Sequence, residues 1–361
     1  MIIKSLELTD YRNYDHLNIE FDSGTNIFYG DNAQGKTNIL EAIYIAATTK
    51  SHKGSRDSEI IGFGKDEAHI RTVIENDGIP TRVDMHLRSA KTKGIAIDGN
   101  RIKKAAELMG LCKVVFFSPE DLNIVKNGPS YRRRFIDMEL CQLDSFYLYN
   151  LNNYNKVLNR RNQVLKDLYF DRSLEDSLVI WDDQLISYGT KIIERRRKFA
   201  EELEEQIKEV HSKLSGGREE INIIYEPSVS EEDYETLLKS SRSKDLKSKM
   251  TGIGPHRDDF SFMTGEIDIR KYGSQGQQRT AALSLKLSEI DMMKKLSGDN
   301  PILLLDDVLS ELDRKRQGFL LDSIGDIQTF ITCTGIDDFV NDRFVMNRVF
   351  YVENGTVKQM S

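Results

Sequence analysis

The sequence predicts an α/β fold interrupted by an inserted all-α helical segment. Three observations predict it. A buried strand, Asn26-Ile27-Phe28-Tyr29, runs through a Gly-containing loop into a helix. A second apolar strand, Ile302-Leu303-Leu304-Leu305, ends far downstream in Asp306-Asp307. Between them, from about Ser130 to Leu214, the chain has no proline and keeps a helical period.

At 361 residues the chain is long for one compact core, so two domains are expected. A content of 39% hydrophobic and 30% charged residues is that of an ordinary globular chain. No run of about 18 apolar residues occurs, so no membrane span is expected. The opening Met1-Ile2-Ile3-Lys4-Ser5-Leu6-Glu7-Leu8-Thr9 alternates as a strand does and is unlike a signal peptide. Cys112, Cys141 and Cys333 stand far apart in apolar surroundings and read as reduced thiols of a cytoplasmic protein. No Cys/His group has zinc spacing, and the 6 scattered histidines predict no metal site. A net charge of −7 and a pI of about 5.6 exclude binding of phosphate backbones by the whole surface. DNA binding would need a local basic patch, or one made by dimerisation.

Along the chain, Ile2 to Leu8 alternates, and so do Leu17, Ile19 and Phe21. Thr72 to Asn76 and Arg82 to Leu87 flank Asp77-Gly78, a hairpin signal. Gly94 to Ile97 and Arg101 to Ile102 flank Asp98-Gly99 in the same way. Lys113 to Phe117 is a short buried strand that stops at Ser118-Pro119. Leu151, Tyr154, Leu158, Leu165 and Leu168 then keep helical spacing. Leu178, Trp181, Leu185, Tyr188, Ile192, Phe199, Leu203, Val210 and Leu214 do so over a longer run. Asp171-Arg172-Ser173 separates the two as a turn and cap, which predicts an antiparallel helical hairpin ended by Ser215-Gly216-Gly217. Strand character returns at Ile221 to Tyr225, and a polar segment, Ser228 to Lys249, follows. Thr251 to Phe262, Leu303 to Leu305, Phe330 to Thr334 and Arg348 to Val352 read as strands, and Thr280 to Lys294 and Arg314 to Ile324 as helices. Residues 1–128 and 220–361 should therefore build one discontinuous domain, with 129–219 inserted as a helical one.

Gly30-Asp31-Asn32-Ala33-Gln34-Gly35-Lys36-Thr37 fits the phosphate-binding loop pattern. Its strand and its helix, marked by Ile39, Leu40, Ile43 and Ala47, supply the required context. Gly30 and Gly35 let backbone N–H groups face phosphates, and the helix N-terminus adds partial positive charge. Lys36 should reach the β- and γ-phosphates, and the Thr37 hydroxyl should sit on Mg²⁺. Asp306, at a strand end, suits the same ion, and Asp307 suits polarisation of an attacking water. Gly273-Ser274-Gln275-Gly276-Gln277-Gln278 opens another helix. It could serve as a simple N-cap or as a second anion-binding device, one that meets a nucleotide held by another subunit.

Together with Val308-Leu309-Ser310-Glu311-Leu312-Asp313, these segments occur in the order of the ATP-binding-cassette superfamily. The chain resembles its DNA-repair branch, with Rad50 and the SMC proteins. More closely it resembles the RecF family of bacterial recombination mediators. The loop with Leu40-Glu41-Ala42-Ile43-Tyr44 after it, Phe117-Ser118-Pro119-Glu120-Asp121-Leu122, Arg132-Arg133-Arg134-Phe135-Ile136-Asp137, Gly254-Pro255-His256-Arg257-Asp258-Asp259 and Leu305 to Asp313 carry that likeness across nearly the whole chain. It implies an ABC-type ATPase head, of the Rad50/SMC kind, in which two copies clamp two ATP molecules with Mg²⁺. Lys36 and Thr37 of one copy would face Ser274, Gln275 and Gly276 of the other. Asp306 would take the metal position, Asp307 the catalytic-base position and Asp313 a position that communicates across the dimer. Arg12 and Asn13 match a segment that contacts phosphate in such heads. Two departures stand out: an Asp base where many relatives have Glu, and no histidine at the end of Phe330 to Thr334. Both imply slow hydrolysis that resets an ATP-driven switch, and the likeness implies that DNA stimulates it.

The likeness also implies sequence-independent binding to gapped, single-stranded or junction DNA, help in recombinase loading and the SOS response, and RecR and RecO as partners. A structural SMC-like DNA tether and a transporter subunit are the competing readings. Three basic runs could meet DNA: Arg132-Arg133-Arg134, Arg160-Arg161 and Arg195-Arg196-Arg197-Lys198. Salt bridges on helix surfaces are the alternative for the last, and the first is the better DNA candidate.

Overall fold

The computed structural model describes residues 1–168, 170–335 and 346–360. They fall into two compact units, Met1–Asp121 with Glu289–Ser361, and Leu122–Ser288.

The first unit holds two six-stranded sheets. One has the order β2-β1-β4-β5-β6-β7 and is antiparallel throughout. Its strands are β1 (Ile2–Tyr11), β2 (Tyr14–Glu20), β4 (Glu67–Asn76), β5 (Ile79–Arg88), β6 (Gly94–Ile97) and β7 (Asn100–Arg101). Alternating burial along β1 and β4 gives the sheet one packed and one wet face. Asp77 (φ 50) and Gly78 (φ 79) close the β4–β5 hairpin, as the Asp-Gly pair predicts.

The other sheet has the order β15-β14-β3-β13-β12-β8. Its strands are β3 (Thr25–Tyr29), β8 (Val114–Phe117), β12 (Ile302–Asp306), β13 (Thr329–Cys333), β14 (Met346–Glu353) and β15 (Thr356–Gln359). All pairs are parallel except β14–β15. Both faces are covered, so β8 and β12 are buried at every position and read as continuous apolar runs. Aromatic rings fill the adjoining core: Phe21 meets Phe330 edge-on at 4.8 Å, and Phe28 stacks on Phe350 at 5.0 Å. The buried Gln328 amide joins the two sheets. It accepts from Ile3 N (2.6 Å) and donates to the carbonyls of Ile3 (2.8 Å) and Asp22 (2.7 Å).

The second unit is larger than the predicted helical insert. It contains the hairpin helices Ser145–Asp167 and Ser177–Ser215, a preceding helix Pro129–Leu143, and its own sheet, β11-β10-β9. Here β9 is Asn222–Glu226, β10 Asp259–Thr264 and β11 Ile267–Asp268. The strand character read at 251–262 therefore does not extend the parallel sheet. β10 pairs antiparallel with β9 instead, and its first residue, Asp259, is held by the helix Pro129–Leu143.

That hold corrects the reading of Arg132 as a DNA contact. Arg132 is only 2% exposed, and its guanidinium donates to both Asp259 oxygens (2.7 and 3.0 Å) and to the Ile124 and Asn127 carbonyls. Arg133 is half-buried and donates to the Asp258 carbonyl, so of the triplet only Arg134 is exposed. The other runs are split in the same way. Arg196 is buried against Asp137 (2.8 Å), Asp258 (2.9 Å) and the Pro255 carbonyl. Arg161, fully buried, binds Asp182 (2.6 Å) and Asp245 (2.7 Å). His256, which burial pushes down to about 4, stays neutral, accepting from Tyr154 Oη (2.7 Å) and donating to the Thr251 carbonyl (3.0 Å).

Removing one member of a buried ion cluster leaves its partners uncompensated. Arg161→Leu is expected to cost about 3–5 kcal/mol, read as a lower urea midpoint for the second unit by tryptophan fluorescence, since Trp181 lies beside Asp182 in the chain.

Candidate nucleotide-binding site

The site sits at the carboxyl edge of the parallel sheet, where α/β folds place ligands. β3 ends at Tyr29, residues 30–35 form the loop, and the helix Lys36–Thr48 follows. The loop needs its glycines. Gly30 (φ 149) and Gly35 (φ 112) lie where a side chain is strained. A Cβ at Gly30 would also lie 2.3 Å from the Val352 carbonyl oxygen, and one at Gly35 2.5 Å from Asn13 Nδ2. Ala33 (φ 63) is the non-glycine exception. Asp31, Asn32 and Ala33 form an exposed rim, while Gln34 ties the loop to the β14–β15 turn through a bond from Asn354 N (2.7 Å).

Lys36 is buried, with its ammonium turned onto the loop's own carbonyls, Gly30 O (2.6 Å) and Asp31 O (2.8 Å). Thr37 Oγ1 donates to Asp306 Oδ1 (2.7 Å), and so does Thr332 Oγ1 (2.8 Å) from β13. The helix after the loop, β13 and β12 thus meet on one carboxylate. Asp307 follows in the left-handed region (φ 54), with its N–H on Thr332 Oγ1 (3.0 Å). Burial holds the Asp307 carboxyl above its ordinary range; Lys36 opposes this, and Asp306 and Glu311 add to it.

Asn13 and Arg12 come from the β1–β2 turn. Asn13 Nδ2 donates to Gln34 O (3.0 Å), and Asn38 donates to Asn13 Oδ1 (2.8 Å), so Asn13 braces the loop. Arg12 is engaged elsewhere. Its guanidinium makes two bonds of 2.9 Å to Glu41 and others to Ser55 Oγ and Glu59 O. Glu41 stands in the sequence as part of the motif after the loop, with no role assigned to it. It is fully buried, yet the Arg12 and Ser51 hydrogen bonds outweigh burial and hold its carboxyl below the usual range. A lone acid among Ile39, Leu40, Ala42 and Ile43 was the available signal. Thr332, within an apolar strand, gave none.

Asp313 caps the helix Arg314–Ile324, accepting from Arg316 N (2.9 Å). In the second unit, Ser274 and Gln277 form a capping box at the start of the helix Gln275–Ser297. Ser274 N donates to Gln277 Oε1 (2.8 Å) and Gln277 N to Ser274 Oγ (3.2 Å). Ser274, Gln275 and Gly276 are exposed.

A phosphate loop whose threonine reaches past β13 to the acid-tipped strand β12 of a parallel sheet is the arrangement of an ABC-type ATPase head. The RecF/RecN/SMC N-terminal domain family matches residues 2–358. The chain belongs to this family and, within it, to the RecF group. It is 60% identical to the DNA replication and repair protein RecF of Lachnoclostridium phytofermentans, over 99% of this chain and 100% of that one. It is 59% identical to that of Agathobacter rectalis, over 99% of both. A solved structure of the recombination mediator protein RecF with ATP, in the RecFOR pathway, superposes with a TM-score of 0.93 at 35% identity, covering 99% of this chain and 97% of that one. An SMC head bound to a domain of ScpA matches at TM-score 0.57 and 16% identity, a likeness of fold.

Asp307 binds its proton more tightly folded than unfolded, so its charged form near neutral pH opposes folding, and this effect fades as the pH falls through the folded value towards about 4. Asp307→Asn should therefore raise the melting temperature of nucleotide-free protein near neutral pH. The gain should shrink towards about pH 4 when melting is followed across pH.

Proposed function

We propose that this chain is an ATP-switched DNA-binding protein of recombinational repair and replication restart, a mediator of the RecF type. The 2.7 Å bond between Thr37 and Asp306 carries this reading, because it unites the phosphate loop with the acid-tipped strand. ATP places its phosphates on the loop N–H groups, and Lys36 exchanges the Gly30 and Asp31 carbonyls for β- and γ-phosphate oxygens. Thr37 and Asp306 offer hard oxygen donors that fit Mg²⁺, which when bound neutralises charge developing on the phosphates. Asp307 polarises the attacking water, and a carboxyl held above its ordinary range suits a base. With Asp rather than Glu as base and no switch histidine, turnover is slow, and, as in the RecF-type reading, DNA stimulates it.

Two copies close on two nucleotides. Gln275 and Gly276 of each present the N–H groups of a helix start, and Ser274 its hydroxyl, to the γ-phosphate on the other, with Asp313 at the same interface. Arg12 reaches phosphate only by releasing part of its hold on Glu41. The dimer engages gapped or junction DNA without reading sequence and assists recombinase loading and the SOS response together with RecO and RecR. A mechanical tether fits less well. The 39-residue helix Ser177–Ser215 extends only about 58 Å.

Sedimentation with Mg²⁺–ATP and DNA tests this directly. Wild type should dimerise with ATP. Lys36→Met should lose nucleotide binding, and Ser274→Arg should bind ATP yet stay monomeric. Normal dimerisation of Ser274→Arg would remove the cross-subunit site. For DNA, Arg134→Ala should lower the salt dependence of binding by about one ion, because each phosphate contact contributes a slope of about 0.9. Arg132→Ala should instead lower stability.

A further inference from the structure

On the antiparallel sheet of the first unit, His69 of β4 stands directly opposite His86 of β5. Glu67, two residues before His69, lies on the same face of β4. The two imidazoles stack with centroids 4.1 Å apart and planes 19° apart. His86 Nε2 is 2.7 Å from Glu67 Oε2, and one ligand atom from each of the three residues lies within 4.8 Å of the other two. Glu67 and His69 are exposed and His86 is half-buried. Sequence spacing predicted no metal site because it cannot see cross-strand register.

We infer that Glu67, His69 and His86 form a site for a divalent transition-metal ion, with zinc as the type case, built from no residue of the nucleotide site. Two imidazole nitrogens and a carboxylate oxygen are a three-ligand set that leaves a fourth tetrahedral position open. Imidazole pairs favour zinc-like ions over Mg²⁺, which prefers oxygen donors in octahedral geometry. His69 and His86 also line a depression of about 360 Å³ together with Arg71, Arg88, Glu7 and Asp84, so the open position can hold water.

The metal-free proton arrangement follows from Arg88. Its guanidinium can only donate, and it lies 3.0 and 3.3 Å from His86 Nδ1. Nδ1 therefore accepts, and the His86 proton sits on Nε2, bonded to Glu67. When the ion binds, Nε2 releases that proton to water and Nδ1 takes one up, so the ring stays neutral; Arg88 turns away, and the stacked rings, whose planes lie 19° apart, rotate so that a lone pair of each converges on the ion. Nε2 and the Glu67 oxygen that had received its hydrogen bond become adjacent ligands. The ion then bridges β4 and β5, and binding adds to the stability of the hairpin.

The test is a titration of the full-length protein with Zn²⁺, by calorimetry, and with Co²⁺, by visible absorption, in excess Mg²⁺ to fill the oxygen sites. One equivalent of either ion should bind, Co²⁺ with the intense bands of tetrahedral coordination, and Zn²⁺ should raise the melting temperature. His69→Ala and His86→Ala should each weaken binding at least about tenfold. His16→Ala, an exposed histidine on β2, should leave it unchanged. All three positions lie largely at the surface, and circular dichroism checks that each variant folds. Absence of one-to-one binding would overturn the site, and so would binding that survives both substitutions or falls equally in His16→Ala.

Discussion

The parallel pairing of β3 with β13 is the constraint on which the rest of the first unit depends. It sets Thr25–Tyr29 beside Thr329–Cys333, so the sheet cannot form until the two ends of the chain have met. A parallel pair needs a crossover, and here the crossover carries the antiparallel sheet, β8 and the entire second unit. Once the pairing exists, β12 lies next to β13 in register, Asp306 opposite Thr332. The loop after β3, the hydroxyl of Thr332 and the carboxylate of Asp306 then share one edge. The site is a consequence of strand order, and the Gln328 amide fixes that order to β1 at the opposite end of β13.

Polar groups at this edge satisfy one another. Asp306 accepts from two hydroxyls, Lys36 donates to two carbonyls, and Glu41 neutralises Arg12. A buried ammonium without partners would cost several kcal/mol, so the loop carbonyls serve as stand-ins for phosphate oxygens. Ligand binding then exchanges hydrogen bonds of similar kind, and its net gain comes chiefly from charge and the aligned loop N–H groups. Asp307 is the exception. Its N–H is satisfied, but its carboxyl is partly desolvated beside Asp306, which is the state a proton acceptor needs.

Local pattern made much of this legible. The loop, β12, the Asp-Gly hairpin and the two long helices each carry their signal within a few residues. The missing parts depend on pairing across the chain. Arg132 meets Asp259 at a separation of 127 positions, and Arg196 meets Asp258 at 62. In sequence, Arg132 to Arg134 and Gly254 to Asp259 are two separate motifs. In space, Arg132 and Asp259 make one buried ion pair, and Arg196 joins Asp258 to Asp137 of the first motif. A run of arginines looks basic because sequence shows charge but not burial. The larger second unit was hidden for a related reason, since alternation in β10 does not say which strand it pairs with.

Burial of these arginines bears on how a nucleotide could control assembly. Each chain carries a formal charge of −7, and the most concentrated basic runs lose a member to internal ion pairs. Two such chains repel one another beyond contact, weakly at physiological salt, where the Debye length is about 8 Å. Little in this charge balance favours a dimer before ATP binds. On the proposed function, the phosphates supply the attraction, because they lie between the loop of one copy and the exposed helix start at Ser274 of the other. Those contacts act over hydrogen-bond distances, well inside the screening length, so they can outweigh the diffuse repulsion. On the same proposal, this repulsion helps the pair to separate once the γ-phosphate is gone, and slow hydrolysis at Asp307 sets how long the dimer persists.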